Sequence, residues 1–471
     1  MKLYNTLTRQ KEDFSPLEPR AVKMYVCGIT PYDETHLGHG RAYVTFDVVR
    51  RYLEYIGYQV THVQNVTDVD DKIINKSKQL AVSSDQIAEK YTQSYFEVMD
   101  KLNVKRASIY PKATEHISDM IAWIKALMDK GYAYELPDGI YFAVDKFDGY
   151  GKLSGRKTEE MEAGARVEVH GGKKNPFDFA LWKKAKEGEP SWDSPWGAGR
   201  PGWHIECSVM STKYLGEQFD IHGGGMDLEF PHHENEIAQT EAVTGKIPWV
   251  KYWMHNGFVN INKQKMSKSL GNFFTLRDIF NKFDPMVVRF FILMTHYRSP
   301  INYSDTEIKS AGEAFNRIRE FISDLEFRRA KTHTKAPAVE KKDMAEDLKP
   351  YKDKFMAAMD DDFNTASAIA AIFEMIKFCR RTLEEGENEK ECLQIMKRSV
   401  VELCEVLGMK FDIRNLKFEI RKGEIENLIK EREDARKDKN FKRADEIRQQ
   451  LQEQGVELED TPLGTKWNTR T

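Results

Sequence analysis

Two short motifs in the sequence have residue types that suit phosphate chemistry. In HLGH, His36 and His39 stand on either side of Gly38 at the predicted start of a helix. Free backbone N–H groups and the helix dipole favour an anion there, and the glycine permits close approach. In KMSKS, Lys265 and Lys268 accompany two serines in a loop suited to clamping a polyphosphate. Taken singly, the motifs also fit an ordinary helix N-terminus and a solvated basic turn.

A third group of residues suits a metal ion. Cys27 ends a predicted strand, Cys207 lies in GWHIECS, and FPHHENE places His232 four residues before Glu236 on one face of a helix. Two thiolates, an imidazole and a carboxylate are a plausible zinc set. The alternative is two buried core thiols and a surface ion pair. The spacing leaves three other histidines open as the imidazole ligand: His204, His222 and His233.

These residues need a scaffold, and the flanking pattern predicts one. AVKMYVCG is a predicted buried strand, GRAYVTFDVVRRYLEYIGY an amphipathic helix stopped by Gly57, and QVTHVQNVTD a second strand. In such a doubly wound unit, ligands bind beyond the carboxyl ends of the strands, where Cys27 and HLGH lie. We assign Gly28 and Thr30, at the same strand end, to the nucleotide site as well.

The predicted fold class is α/β. A Rossmann-type doubly wound parallel sheet forms a catalytic domain over 1–305, interrupted by an inserted connective segment at about 100–200. The insertion is expected to hold a helical stretch, a hairpin in ELPDGIYFAV, and a long tract rich in Gly, Pro, Lys and Trp. A helical bundle at 306–410 and a small C-terminal α+β unit at 411–471 follow. In the bundle, DDDFNTA is expected at the N-terminus of a helix, where the helix dipole favours acidic residues.

Composition excludes several classes of protein. The 471 residues include 72 Lys and Arg against 75 Asp and Glu, so bulk charge does not suit a protein that coats nucleic acid. Five cysteines spread through a long chain do not form a secreted disulfide framework. The N-terminal MKLYNTLTRQKEDF lacks the apolar segment of a signal peptide, and no apolar run is long enough to cross a bilayer. We therefore expect a cytoplasmic protein that does not bind membranes.

In this order and on this α/β pattern, HLGH and KMSKS resemble the signature motifs of the class I aminoacyl-tRNA synthetases. Leu37 stands where that family has isoleucine, a swap of similar volume. The stretches YVCGITPYDETHLGHGR, NVTDVDDKI, GRPGWHIECS, DIHGGGMDLEFPHHENEIAQ, KMSKSLGN, MDDDFNTA and LEDTPLGTKW extend the resemblance, over essentially the whole chain, to the cysteine-specific branch. The resemblance implies that Trp203 and His222 line the substrate pocket, and that the chain is a monomer with one zinc ion, held by Cys27, Cys207, His232 and Glu236.

The resemblance also implies a reaction. L-Cysteine attacks ATP, supplied with magnesium, to give cysteinyl-adenylate and pyrophosphate, and then passes to the 3′-terminal adenosine of tRNA(Cys). We expect His36 and His39 to hold the phosphates from the helix side and Lys268, helped by Lys265, from the loop. A pocket that discriminates by shape alone separates serine from cysteine poorly, whereas zinc deprotonates a bound thiol. A separate editing domain is then unnecessary.

The end of the chain favours anticodon binding. Between Arg436 and Arg448, six basic residues outnumber three acidic ones, and Phe441 lies among them, a composition suited to phosphate contacts and base stacking. Two alternatives remain. One is a cysteine ligase of mycothiol biosynthesis, which shares the catalytic core but needs no such tail. The other is an inactive synthetase-like module that binds tRNA.

Overall fold

The structure is a computed structural model. It describes residues 1–156, 172–261, 264–265, 274–332, 343–387, 389–411, 416–453, 456–461 and 464–469. For residues 264–265, 416–424 and 469 it describes the backbone alone. Two compact units are present: one contains 1–312, 353–371 and 406–409, and the other contains 313–352, 372–405 and 410–471. The three-part division predicted from the sequence stays a prediction.

A four-stranded parallel sheet lies in the first unit. Its strand order is β10-β9-β3-β4, and every neighbouring pair runs parallel. The inner residues of these strands are almost all buried, as expected for a sheet covered on both faces. The predicted doubly wound α/β fold is therefore confirmed. The strands are β3 (Ala21–Ile29), β4 (Gln59–Val66), β9 (Phe219–Gly225) and β10 (Val250–Asn256).

Helix α1, Leu37–Tyr55, connects β3 to β4 and carries most of HLGH. His36 is its N-cap, and the His36 and His39 side chains each accept a hydrogen bond from the other's backbone N–H. This reciprocal arrangement satisfies two N–H groups that the helix cannot pair. The helix ends at Ile56, and the next residue, Gly57, has φ +98°, a conformation that a glycine adopts without steric cost. The predicted helix and its stop are confirmed.

The insertion between β4 and β9 holds helices and a four-stranded antiparallel sheet, ordered β5-β6-β7-β8. The hairpin predicted in ELPDGIYFAV is β5 and β6. The tract rich in Gly, Pro, Lys and Trp, in which the sequence pattern predicts no element, supplies two strands, β7 and β8, because β6 and β7 pair over long range. The elements are α2 (Asp71–Leu80), α3 (Ser84–Lys101), α4 (Ile117–Asp129), β5 (Ala133–Leu136), β6 (Gly139–Phe142), β7 (Phe179–Lys184), β8 (Gly199–Pro201) and α5 (Trp203–Leu215).

Smaller elements complete the first unit. Strand β11 pairs in parallel with β13 and antiparallel with β12, where KMSKS begins. An N-terminal hairpin, β1 and β2, precedes the main sheet. The elements are β1 (Lys2–Asn5), β2 (Gln10–Asp13), α6 (Glu234–Thr244), β11 (Val259–Ile261), β12 (Gln264–Lys265), α7 (Leu276–Phe280), α8 (Pro285–Leu293) and β13 (Ile301–Tyr303).

In the described ranges beyond β13, helices follow one another until a closing hairpin, as the sequence predicts. That hairpin packs Val456 against Ile425, Ile447 and Leu451 of two helices, forming a small separate core. None of the helices in the described ranges is both long and apolar enough to cross a membrane. The elements are α9 (Asp305–Lys331), α10 (Met344–Asp360), α11 (Thr365–Glu384), α12 (Lys390–Val406), α13 (Leu416–Lys437), α14 (Phe441–Glu453), β14 (Val456–Thr461) and β15 (Gly464–Thr469).

Candidate active site and metal centre

The four predicted metal ligands lie together in the first unit. Cys27 is near the end of β3, Cys207 is on α5, His232 is in the turn just before α6, and Glu236 is in the first turn of α6. Their donor atoms all lie within 4.8 Å of one another. Each of these residues is buried, with at most 7% of its surface exposed. The His232–Glu236 contact is therefore internal, and the surface ion pair considered as an alternative is excluded.

The geometry of this group suits zinc. The sulfur atoms of Cys27 and Cys207 are 3.9 Å apart, too far for a disulfide bond of about 2.05 Å. Two thiolates bound tetrahedrally to zinc at about 2.3 Å would place their sulfurs about 3.8 Å apart. His232 Nε2 lies 3.0 Å from Glu236 Oε1, so the remaining two donors also converge. The residues present therefore fit a four-coordinate zinc ion.

Electrostatics within the group favour charge on the carboxylate and the imidazole. Burial opposes ionisation of Glu236, but the adjacent His222 and His232 rings outweigh it and lower its pKa to about 2. Burial likewise disfavours a charged His232, yet Glu236 and Cys207 raise its pKa to about 10. Burial raises the pKa of Cys27. The metal-free group thus holds protons that a zinc ion must displace, which makes metal binding dependent on pH.

The structure places the other three candidate histidines around this group. His222 Nε2 lies 2.8 Å from Glu236 Oε2, and His233 Nε2 lies 3.2 Å from Cys27 Sγ. With Cys27 and Glu236 they form a second possible ligand set. His204 Nδ1 contacts His232 Nδ1 at 2.9 Å, the position from which an outer residue orients a metal-bound imidazole. Zinc prefers soft thiolate donors, so the set that contains both cysteines suits zinc better than the set that contains Cys27 alone.

The two predicted substrate residues lie beside the metal group. The Trp203 ring stacks on His232 with centroids 4.0 Å apart and an interplanar angle of 21°. Trp203 is 38% exposed, so part of its surface remains open. The fully buried His222 ring stacks on Trp253 at 4.5 Å. An open aromatic wall beside a possible metal ion is a suitable place for a small amino acid.

The predicted phosphate site lies next to the metal group along the chain. Gly28 and Thr30 lie at the end of β3, and Gly38 is in the first turn of α1. Gly28 donates its N–H to Asn65 Oδ1 at 2.8 Å, and a Cβ at Gly28 would lie 1.5 Å from the Asn65 carbonyl oxygen. Only glycine fits at this position. The His36 and His39 rings stack 3.6 Å apart at the helix N-terminus.

The second signature motif can be placed only in part. The backbone of Lys265 pairs with Asn260 between β12 and β11, and nothing is described of its side chain. Lys268 lies outside the described residues. The roles predicted for Lys265 and Lys268 stay predictions.

Two contributors to the site were not predicted from the sequence. Asn65 accepts the Gly28 N–H and donates to Thr67, fixing the end of β3 against β4. His255 contacts His233 at 2.8 Å and Thr6 at 2.8 Å. Asn65 lies within NVTDVDDKI, one of the stretches that carry the resemblance. No spacing rule could have identified His255, because only the strand pairing brings it near His233.

The chain matches known families and curated relatives over almost its whole length. The family model "tRNA synthetases class I (C) catalytic domain" matches residues 13–313, "DALR domain" matches 354–412, and "Cysteinyl-tRNA ligase anticodon binding domain" matches 422–467. The cysteine–tRNA ligase of Carboxydothermus hydrogenoformans is 51% identical over 468 residues, covering 99% of each chain. Those of Clostridioides difficile and Thermococcus onnurineus are 52% and 51% identical, covering 99% of this chain and 99% and 98% of theirs.

Solved structures give the same fold at low sequence identity. The methionyl-tRNA synthetase of Mycobacterium tuberculosis in complex with methionyl-adenylate has a TM-score of 0.58 at 14% identity, covering 82% of this chain and 89% of its own. The LeuRS of Agrobacterium radiobacter K84, in a ternary complex with tRNA and LeuAMS, has a TM-score of 0.61 at 12% identity, covering 84% and 85%. With full-length relatives above half identity, the chain belongs to the cysteine–tRNA ligase family of class I aminoacyl-tRNA synthetases.

Proposed function

We propose that this enzyme selects L-cysteine through zinc held by Cys27, Cys207, His232 and Glu236, and joins it to tRNA(Cys). ATP, an amino acid and tRNA are the substrates of the family. The observation that carries the proposal is the buried pair of sulfurs, Cys27 and Cys207, 3.9 Å apart, with Cys27 nine residues before the helix cap at His36. Zinc, when bound there, favours a thiolate ligand over a hydroxyl and so favours cysteine over serine.

The chain's own residues position the amino acid. Trp203 and His222 shape the pocket beside the metal group, and His222 holds Glu236 in place through its Nε2 contact. The substrate carboxylate can then face the helix N-terminus a few residues away along the β3–α1 connection. We assign Gly28, Thr30 and Gly38 to the ATP site because glycine at two of these positions allows the nucleotide close to the backbone.

Catalysis then rests on positioning and charge stabilisation. The cysteine carboxylate attacks the α-phosphate of ATP, and pyrophosphate leaves with its magnesium. A hydroxyl of the terminal ribose of tRNA then attacks the carbonyl carbon of the adenylate, forming the ester and releasing AMP. The α1 N-terminus with His36 and His39 faces the phosphates, and Lys265 and Lys268 approach from the second signature motif. No covalent bond to the enzyme is required at either step.

The remaining assignments are proposals too. The domain boundaries 1–305, 306–410 and 411–471 are supported by the three family matches. The anticodon match at 422–467 supports tRNA(Cys) contacts there, and the relatives give no support to a mycothiol ligase or an inactive module. We propose a monomer with one zinc ion, working in the cytoplasm. Sedimentation, metal analysis and cell fractionation test these three points.

The direct test is ATP–pyrophosphate exchange with cysteine and with serine, before and after a chelator removes metal. We expect exchange that needs cysteine, falls with zinc content and returns when zinc is added back. Exchange that survives complete metal removal would contradict the zinc assignment but leave the ligase activity intact. Charging of tRNA(Cys) transcript, measured in the same preparation, tests the second step separately.

A further inference from the structure

A buried arginine connects the helix that carries the first signature motif to the strands that lead to the second. Arg41 is on α1, two residues after His39, and is 1% exposed. It donates to the carbonyl oxygens of Gly257 at 3.1 Å, His296 at 3.2 Å and Tyr297 at 3.0 Å, and also to that of Ser299. Among the described residues no carboxylate lies within ion-pair distance of Arg41, and its Nη1 has no partner.

A buried guanidinium without an anionic partner is costly, since carbonyl dipoles replace its hydration only in part. An apolar side chain could fill the same space without that cost. What the guanidinium supplies is a planar fork of donors that fixes several acceptors in one arrangement. The contacts of Arg41 therefore indicate a requirement for geometry rather than for stability alone.

One of the carbonyls that Arg41 holds, that of Gly257, belongs to the segment that leads into the second motif. Gly257 separates β10 from β11, and β11 pairs with β12, in which the Lys265 backbone lies opposite Asn260. Asn260 is three positions along the chain from Gly257, a distance of about 10 Å for extended backbone. The 296–299 loop packs on Gly257 so closely that a Cβ there would lie 2.7 Å from the Ser299 carbonyl oxygen.

A second buried polar side chain fixes the same loop. Asp362, 0% exposed, accepts hydrogen bonds from Tyr297 Oη at 2.8 Å, Arg298 Nε at 2.7 Å and the Tyr4 N–H at 2.9 Å. Asp362 and Phe363 both have positive φ, +63° and +52°, which non-glycine residues rarely adopt. Strained backbone held by surrounding contacts is typical of positions where geometry matters.

We propose that Arg41 and Asp362 are positioning residues for adenylate formation. They hold the 296–299 loop so that the start of α1 and the β11–β12 strands, where the second motif begins, lie at the correct separation. This inference rests on the proposed function. Neither residue needs to contact ATP or cysteine. Arg41 acts through Gly257 and the loop, and Asp362 acts through Tyr297 and Arg298. The metal pocket is not part of this connection.

The test uses Arg41→Lys and Asp362→Asn in the full-length, zinc-loaded protein. Lysine keeps the charge but loses the fork, and asparagine keeps the shape but loses the charge that faces Arg298. We expect kcat for ATP–pyrophosphate exchange to fall about tenfold in each, because small displacements of reacting groups have large effects. KM for cysteine should stay within about twofold, since the metal pocket is unchanged. The double variant should lose less than the product of the two losses.

Two matched substitutions serve as controls. Arg50→Lys makes the same change on the same helix, at a residue bonded to Glu54 and the Arg106 carbonyl. Asp361→Asn alters the neighbouring aspartate, which is exposed and paired with Lys11. Both controls should stay within about twofold of wild type in kcat.

Three results would overturn the inference. The first is a lowered unfolding temperature with kcat unchanged well below it, since that shows a structural role only. The second is a change confined to KM for cysteine. The third is an equal loss in the controls. If the wild-type protein shows no cysteine-dependent exchange, the proposed function itself fails. If the wild type is active and the variants match it, only the inference about Arg41 and Asp362 fails.

Discussion

Replacing one cysteine sulfur by oxygen distinguishes a zinc site from a pair of buried thiols that bind no metal. Cys207→Ser removes a soft donor and leaves Cys27 and Glu236 without the fourth ligand that a closed site needs. We expect zinc content to fall at least about tenfold, and cysteine-dependent exchange with it, because loss of even an outer residue can cost that much. Metal analysis by mass spectrometry alongside exchange assays measures both.

Cys379→Ser is the matched control for this change. Cys379 is also fully buried, and burial raises its pKa to about 12, so it remains a protonated thiol. The substitution should leave zinc content unchanged. Equal zinc loss in both variants would show that unfolding, and not the ligand set, explains the result.

Gly28→Ala tests the close approach of β3 to β4. The added Cβ would meet the Asn65 carbonyl oxygen at 1.5 Å, and the strand backbone cannot shift without breaking the sheet. We expect a loss of at least about 3 kcal/mol in the free energy of unfolding. Gly245→Ala, where φ is +71° and no described atom lies within 4 Å of the new Cβ, should cost only about 1 kcal/mol. Urea unfolding followed by tryptophan fluorescence compares the two, and equal losses would contradict the steric explanation.

Residue types and spacing predicted the composition of the site but not the partners of each histidine. Helical spacing suggested that His232 and Glu236 meet, and they do, although a π-helical turn at Glu229–His233 precedes the helix itself. Four further histidines fill the same pocket from β9, β10, α5 and the same turn. Their contacts depend on strand pairing and tertiary packing, which a local pattern does not contain.

At the scale of elements, the pair at the start of α6 gives the metal-free protein a pH-dependent stability. The pKa of Glu236, lowered to about 2, means that its stabilisation is present above the unfolded value of about 4.3 and is lost as pH falls. The pKa of His232, raised to about 10, means that its stabilisation is complete below about 6.5 and is lost as pH rises. The pair is therefore most stabilising between about pH 4.3 and 6.5.

His232→Gln should expose this dependence. In metal-free protein, the difference in melting temperature between wild type and variant should be largest near about pH 5.5 and shrink toward pH 10. In zinc-loaded protein the difference should instead grow from about pH 5 to 7.5, because protons compete less with the metal. Calorimetry with and without chelator measures both trends. A difference that does not change with pH in metal-free protein would mean that the pair does not ionise as described.

Helix α8 is joined to α1 by a buried ion pair. Arg289 Nη2 lies 2.5 Å from Asp47 Oδ2, and both side chains are fully buried. Burial favours a neutral Asp47, yet Arg289 and Arg51 lower its pKa. Arg289→Met leaves the carboxylate with less compensation and should cost about 3 kcal/mol. The double variant Asp47→Leu with Arg289→Met should recover part of this loss, and chemical unfolding measures the coupling. If the double variant recovers none of the lost stability, packing rather than charge determines the effect of these substitutions.

The elements themselves were only partly predictable. Strand β3, helix α1 and strand β4 have strong local patterns, and the structure confirms them. Strands β7 and β8 lie in a tract rich in Gly and Pro, and β8 is three residues long. They form because β6 offers an edge about 40 residues away, a long-range pairing that propensity does not show. DDDFNTA does lead into a helix, α11, as predicted, but its carboxylates also accept hydrogen bonds from distant residues, which the local pattern does not show.

At the scale of the whole molecule, a net charge of -3 means that tRNA must be held by local surfaces. The predicted anticodon surface includes Phe441, whose side chain is among the most exposed apolar groups described, at 61%. Several nearby basic groups already have acidic partners, Arg436 with Asp460 and Arg443 with Glu431. Exposed pairs of this kind are weak, so a phosphate can compete for the same arginines.

Phe441→Ala should therefore separate the two halves of the reaction. Loss of one stacked base contact, worth about 1–3 kcal/mol, should raise KM for tRNA by about five- to a hundredfold. ATP–pyrophosphate exchange should not change, since it needs no tRNA. Tyr55→Ala, which removes a 38% exposed aromatic group on α1, should leave KM for tRNA unchanged. Steady-state aminoacylation at two salt concentrations measures the effect, because stacking should survive higher salt better than phosphate contacts do. An unchanged KM for tRNA would remove Phe441 from the anticodon surface and leave recognition there to the basic residues of α13 and α14.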